Sequence, residues 1–195
     1  MTTFYFVRHG EPDYESVGEW REFPFGKDFA GLTEQGIAQI TRAAEELKKF
    51  CPQVILSSPY TRTMQGAGIL ARELQIPLLV ERDLHEWNSD RTHTVSSEHE
   101  LLQLCHDYDA HNGIYPRGTE KKWESRQSIR ARVLKVLSKY LEYERVVVSG
   151  HAMMMQAVTS DYRPFAYGEI VQKTWDEIIP PDFSGIPGVT CHTPS

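Results

Sequence analysis

The sequence predicts an α/β domain: a three-layer α/β/α sandwich on a mostly parallel central sheet, carrying a small helical cap insertion. Two observations predict it. Short apolar runs recur at residues 4–7 (FYFV), 53–56 (QVIL), 77–80 (PLLV) and 145–149 (RVVVS). Segments with apolar residues at helical spacing lie between and after these runs. Strands that alternate with helices pair in parallel, because each return needs a crossover. The 195 residues suffice for one good core, so the chain reads as one domain, 1–195.

The elements follow in order. Residues 4–7 form a short buried strand, bounded by Gly10. An irregular stretch, GEPDYESVGEWREFPFGKDFAG, runs from 10 to 31; Trp20, Phe23 and Phe25 make it either a lid or a packed loop. In LTEQGIAQITRAAEELKKF, Ile37, Ile40, Ala44 and Leu47 share one face, with Thr33 as N-cap and Glu34 at the positive helix end. Residues 53–56 form the second strand. Ser58 is then placed to cap the next helix with Pro59 at its first position, and Met64, Ala67, Ala71 and Leu74 to line its inner face.

Residues 77–80 read as another strand. From 83 to about 124 there is no strand pattern; this excursion carries a helix near 97–108, and its part 90–122 is the expected cap and specificity insertion. Ile129, Val133, Val136, Leu137 and Tyr140 stripe a helix over 125–143. The strand 145–149 leads through Gly150-His151 into a helix beginning MMMQAV, and 168–171 is expected to be a last short strand. The end, IIPPDFSGIPGVTCHTPS, has four prolines and is expected to wrap the surface loosely.

Composition excludes several function classes. The net charge is −6 and no basic stripe is present, which argues against a nucleic-acid partner. No apolar run approaches membrane-spanning length, and with the first strand starting so early no signal peptide is expected. Cys51, Cys105 and Cys191 are odd in number and far apart, which suggests a reducing, cytoplasmic setting.

Parallel sheets bind ligands at the carboxyl ends of their strands. Arg8 and His9 end the first strand, Arg62 follows the second, and His151 follows the 145–149 strand. If these strands are neighbours, two arginines and two histidines converge on a site suited to a dianion. Helix N-termini would add N–H groups, and Gly10 would let a ligand approach the backbone. Histidine can also act as a nucleophile, and Glu86 in DLHEW is the candidate proton donor, with Glu11 as its competitor. His85, His93, His99, His106, His111 and His192 are scattered, and no HExxH or close Cys/His pairing suggests a metal. Arg21, Lys27, Arg82, Arg91, Arg117, Lys121 and Lys122 could extend the anion site, although most are expected to be solvated.

RHGE at 8–11, SSPYTRTMQGA at 57–67, LHEW at 84–87 and VVVSGHA at 146–152 resemble the histidine phosphatase superfamily, the phosphoglycerate-mutase-like group. LTEQG at 32–36 is similar to its LT-x-x-G helix start, and WES at 123–125 to its GES element. The resemblance implies that His9 attacks phosphorus and becomes phosphohistidine. It implies that Arg8, Arg62 and His151 hold the phosphoryl oxygens, that Glu86 gives and retakes the proton, and that no metal or cofactor takes part. The expected activity is that of a histidine acid phosphatase-type phosphomonoesterase with a mildly acidic optimum, acting on a small-molecule phosphomonoester or a phosphopeptide. Departures from the mutase pattern favour a phosphatase. RHGEPDYESVG has no following Trp-Asn pair, no ERHYG element surrounds Glu86, Gly66 replaces a frequent threonine, and Ala152 replaces a frequent glycine. A phosphoglycerate-type phosphomutase and a catalytically silent phosphate-binding protein stay open as alternatives.

Overall fold

The structure is a computed structural model and describes residues 1–17 and 26–178. The aromatic trio Trp20, Phe23 and Phe25, with Arg21, lies outside the described residues, as do Cys191, His192 and nearly all of the proline-rich end. The elements are β1 (Thr2–Arg8), α1 (Glu34–Lys48), β2 (Val54–Ser57), α2 (Thr61–Leu74), β3 (Leu78–Val80), α3 (Glu98–Ala110), α4 (Arg126–Leu137), β4 (Arg145–Gly150), α5 (Ala152–Thr159) and β5 (Ile170–Trp175). They form a five-stranded sheet in the order β3-β2-β4-β1-β5. β3, β2, β4 and β1 are parallel, and β5 runs antiparallel along β1.

Alternate residues of the inner strands feed two separate cores, which gives the three layers. Phe4, Phe6, Val54, Leu56, Val146 and Val148 pack with Ile129 and Val133 of α4 and with Met154 and Val158 of α5. Tyr5, Val7, Ile55 and Val147 pack with Ile40, Ala44 and Leu47 of α1 and with Ala67 and Leu70 of α2. Both faces of these strands are covered, so their sequences are continuously apolar. Each large side chain buried this way contributes about 1.5–3 kcal/mol.

Several expectations shift. Thr33 caps α1 by accepting from the Gly36 amide, as expected, but Ile37 stands exposed. Ser58 and Pro59 precede the helix: α2 starts at Thr61 behind Tyr60, and its inner face is Thr63, Gly66, Ala67 and Leu70. α4 stops at Leu137, and the chain tightens into a 3₁₀ turn over Ser138–Tyr140. β5 is longer than the 168–171 expectation. It is an edge strand whose middle residues Gln172, Lys173 and Thr174 are exposed, so its composition is mixed and no long apolar run marks it. Its Trp175 ring packs edge-on against Phe4 at 5.6 Å and Phe6 at 6.2 Å. α3 is capped by Ser97 and is largely exposed; its buried Tyr108 joins Trp87 and Trp123 in an aromatic cluster.

Candidate active site

Strand register assembles the site. β1 and β4 pair with Arg8 opposite Gly150. His9 and His151 therefore leave adjacent strand ends together, with ring centroids 5.4 Å apart. β2 pairs with β4 so that Ser57 faces Ser149, and the first turn of α2 carries Arg62 to His151. Arg62 Nη2 lies 3.4 Å from His151 Nδ1.

The hydrogen bonds define both tautomers. His9 Nδ1 is 2.7 Å from the Gly10 carbonyl, which can only accept. Nδ1 therefore carries the proton, and Nε2 presents a free lone pair. Burial, then the Arg62 and Arg8 charges, lower the His9 pKa to about 3 against the effect of the Gly10 bond, so the ring is neutral near pH 7. In His151 the guanidinium of Arg62 donates to Nδ1, and Nε2–H donates to Ser58 Oγ at 2.8 Å. Burial and the Arg62 charge hold this imidazole neutral as well.

Two guanidiniums flank the histidines. Arg8 lies 4.1 Å over the Tyr167 ring and donates to the Phe165 carbonyl. Arg62 donates to the Lys27 carbonyl at 3.0 Å and stands 5.0 Å from the Tyr60 ring centroid. Neither has a carboxylate salt-bridge partner among the described residues. Arg8 Nε and Arg62 Nε are buried with no hydrogen-bond partner among the described residues. A buried cationic N–H without an acceptor is costly, and a bound oxyanion would remove that cost.

Gly10 has a different role from the expected one. A Cβ there would meet the Gly36 carbonyl at 2.3 Å, so the space it frees is filled by the first turn of α1. Its own carbonyl orients His9. The amides at the start of α5 are also engaged. Met153 and Met154 donate to the Glu86 carboxylate at 3.3 and 3.0 Å, and the Trp87 amide donates to it at 2.9 Å. Burial raises the Glu86 pKa, while these three N–H groups and Arg62 pull it down. The competing acid, Glu11, accepts from the Thr33 hydroxyl at 2.7 Å at the start of α1.

The segment bearing Glu86 is held by an ion pair that sequence reasoning missed. Arg132 of α4 donates to the carbonyls of Asp83, His85 and Glu86 at 2.6, 2.9 and 3.2 Å. The same guanidinium makes a two-pronged bond to Glu124 at 2.7 and 3.0 Å. Glu124 also accepts from the Asn88 amide through its carboxylate and from the Trp87 indole through its carbonyl. WES at 123–125 was the only sequence signal for this clasp. Ser58, Tyr60 and Tyr167 were also missed. Tyr167 reaches Arg8 because Gly168 donates to the Arg8 carbonyl where β5 begins, a long-range pairing. Asp28 was missed too; burial raises its pKa to about 6 against the pull of Arg62 and the Tyr60 hydroxyl.

Of the peripheral cations, Arg91 pairs with Glu120 and Lys121 with Asp107, while Arg82 is exposed beside Asp83. The described residues contain no group of three His, Cys, Asp or Glu side chains placed to hold a metal ion. No helix among them is long and apolar enough to cross a membrane.

A mostly parallel α/β sheet that gathers two arginines and two histidines at its strand ends has the residue types that suit the handling of phosphoryl groups. The sequence matches the histidine phosphatase superfamily (branch 1) over residues 4–173, and the chain belongs to that superfamily. Solved structures share its fold. YhfR of Bacillus stearothermophilus superposes with a TM-score of 0.68 at 19% identity, covering 91% of this chain and 93% of its own. A mycobacterial glucosyl-3-phosphoglycerate phosphatase superposes at 0.65 with 19% identity, over 88% and 89%. A putative α-ribazole-5′-P phosphatase from Escherichia coli superposes at 0.57 with 19% identity, over 82% and 78%. No curated protein matches the chain.

Proposed function

We propose that this chain is a cytoplasmic phosphomonoesterase that works through a phosphohistidine at His9. The observation that carries this reading is the neutral His9, its Nε2 lone pair open, between two guanidiniums whose buried Nε–H groups have no acceptor among the described residues. Arg8 and Arg62 take the phosphoryl oxygens. His151 takes up a proton at Nδ1 as the dianion arrives and becomes a further donor. His9 Nε2 forms a bond to phosphorus as the bond from phosphorus to the alcohol oxygen breaks. Glu86, whose pKa burial raises, gives its proton to that oxygen. Water then attacks the phosphohistidine, Glu86 takes a proton from it, and inorganic phosphate leaves. The residues between 90 and 122 act as the cap of a single domain. The phosphatase neighbours support a small phosphorylated substrate.

The rate falls in acid as His9 protonates and in alkali as Glu86 ionises, which places the optimum on the mildly acidic side. The test is hydrolysis of p-nitrophenyl phosphate in EDTA by the wild type and His9→Ala, with acid quenching to trap an acid-labile phosphoenzyme. EDTA-resistant turnover and a trapped intermediate, both lost in His9→Ala with a rate drop of about 10⁴-fold or more, are expected. Turnover that survives in the variant overturns the mechanism.

A further inference from the structure

We propose that the alcohol part of the substrate is an uncharged polar group of sugar or polyol size, seated in the cavity beyond Tyr60. Asp28 makes that cavity reject acidic alcohols. This rests on the hydrolase reading above and specifies its substrate class.

The cavity measures about 430 Å³, and Asp28, Tyr60, His85, Trp87, Asn88 and Asp90 are among its walls. That volume suits a small organic group. Tyr60 is the partition between the cavity and the phosphoryl site. Its ring packs 5.1 Å from the His151 ring and lies beside Arg62, and it shares the cavity wall with Asp28. Glu86 turns its carboxyl to α5, whereas its neighbours His85 and Trp87 line the cavity. An oxygen protonated by Glu86 therefore belongs to a group that continues past Tyr60 into this space.

The charges of the wall are mostly negative. Asp28 has no salt-bridge partner among the described residues. Asp90 opposes burial with hydrogen bonds from Thr92, Thr94 and Val95, and its pKa falls to about 2. Arg82, the one arginine or lysine among the described residues of the lining, has a side chain that is 89% exposed and paired with Asp83. A carboxylate on the leaving group would meet like charge here. Hydroxyls would find partners. His85 uses Nδ1 on the Glu86 carbonyl, leaving Nε2 as an acceptor. Asn88 spends its carbonyl oxygen on the Asp90 amide, leaving its NH₂ as a donor.

Glycerol 3-phosphate and 3-phosphoglycerate separate the possibilities, because they share a phosphate on a primary carbon and differ chiefly in a terminal CH₂OH against COO⁻. kcat/KM for each is measured at fixed ionic strength and about pH 7.5, above the Asp28 pKa of about 6 so that its carboxylate is charged, in the wild type and in Asp28→Asn, beside p-nitrophenyl phosphate. The wild type is expected to favour the neutral ester by about tenfold or more, and Asp28→Asn to shrink that ratio several-fold. The ratio is internal to each protein, so a partly folded variant does not distort it. A wild-type ratio near or below one, a ratio unchanged in Asp28→Asn, or turnover of the aryl ester alone overturns this proposal and leaves the hydrolase reading standing. Failure on the aryl ester and both glycerol esters overturns the hydrolase reading, and this one with it.

Discussion

The two sides of the candidate site are built differently. The proposed nucleophile side, with Arg8, His9, Arg62 and His151, sits on the ends of parallel strands or in the first turn after them, and main-chain register sets its geometry. The proposed acid side, with Glu86, sits on an irregular segment outside the sheet. There the clasp of Arg132 and Glu124, with side chains 13% and 6% exposed, holds the backbone in place. A sheet ladder spreads its cost over many bonds, whereas a clasp concentrates it in one buried pair. The nucleophile side should therefore tolerate single changes in its supports, and the acid side should not.

The sharpest way to separate the sides is through the leaving group. Glu86→Gln is expected to lower kcat for an alkyl phosphate about 10²–10⁴-fold. The loss should be below about tenfold for 2,4-dinitrophenyl phosphate, whose phenolate leaves unaided. Equal losses on both esters would place Glu86 outside proton transfer. Next comes the clasp. Arg132→Ala leaves Glu124 buried without its partner and is expected to cost about 3–5 kcal/mol in urea unfolding. The folded fraction should show the same leaving-group bias as Glu86→Gln. A variant that loses stability but no bias would show that the clasp supports the fold without aiming Glu86.

The third prediction concerns the nucleophile side. The His9 pKa falls from an ordinary 6.5 to about 3 on folding, so between those values the unfolded chain binds the extra proton. Stability therefore drops as pH falls through this window, by about 2 kcal/mol from pH 7 to 5 for His9 alone. Thermal melts across that range should show the loss, and His9→Gln should reduce it. The smallest effect is expected at Thr33→Ala, which removes the α1 cap and its bond to Glu11, costing about 1 kcal/mol in the same melts.

The two sides also differ in how they could be read. The buried strands announced themselves, because a strand covered on both faces must be continuously apolar. The site residues next to them were legible for the same reason, since each follows a recognisable strand. β5 was underestimated because an edge strand keeps exposed residues and a mixed composition. Ser58 looked like a helix cap and instead accepts from His151, because β2 and β4 end together. Gly10 looked like a ligand-facing glycine and instead admits Gly36.

By itself the sequence determined the alternation of strands and helices, the Thr33 cap, and the order in which Arg8, His9, Arg62, Glu86 and His151 follow their elements. These are local properties: period, propensity and what stands next to an apolar run. Only the tertiary structure decided which strands are neighbours, hence which proton each histidine holds, which acid faces the site, and that Arg132 and Glu124 clamp the segment between them. It alone brought Asp28 and Tyr60 to the wall of one cavity. Those outcomes depend on contacts between residues far apart in the chain, and no local pattern of residue types encodes such a distance.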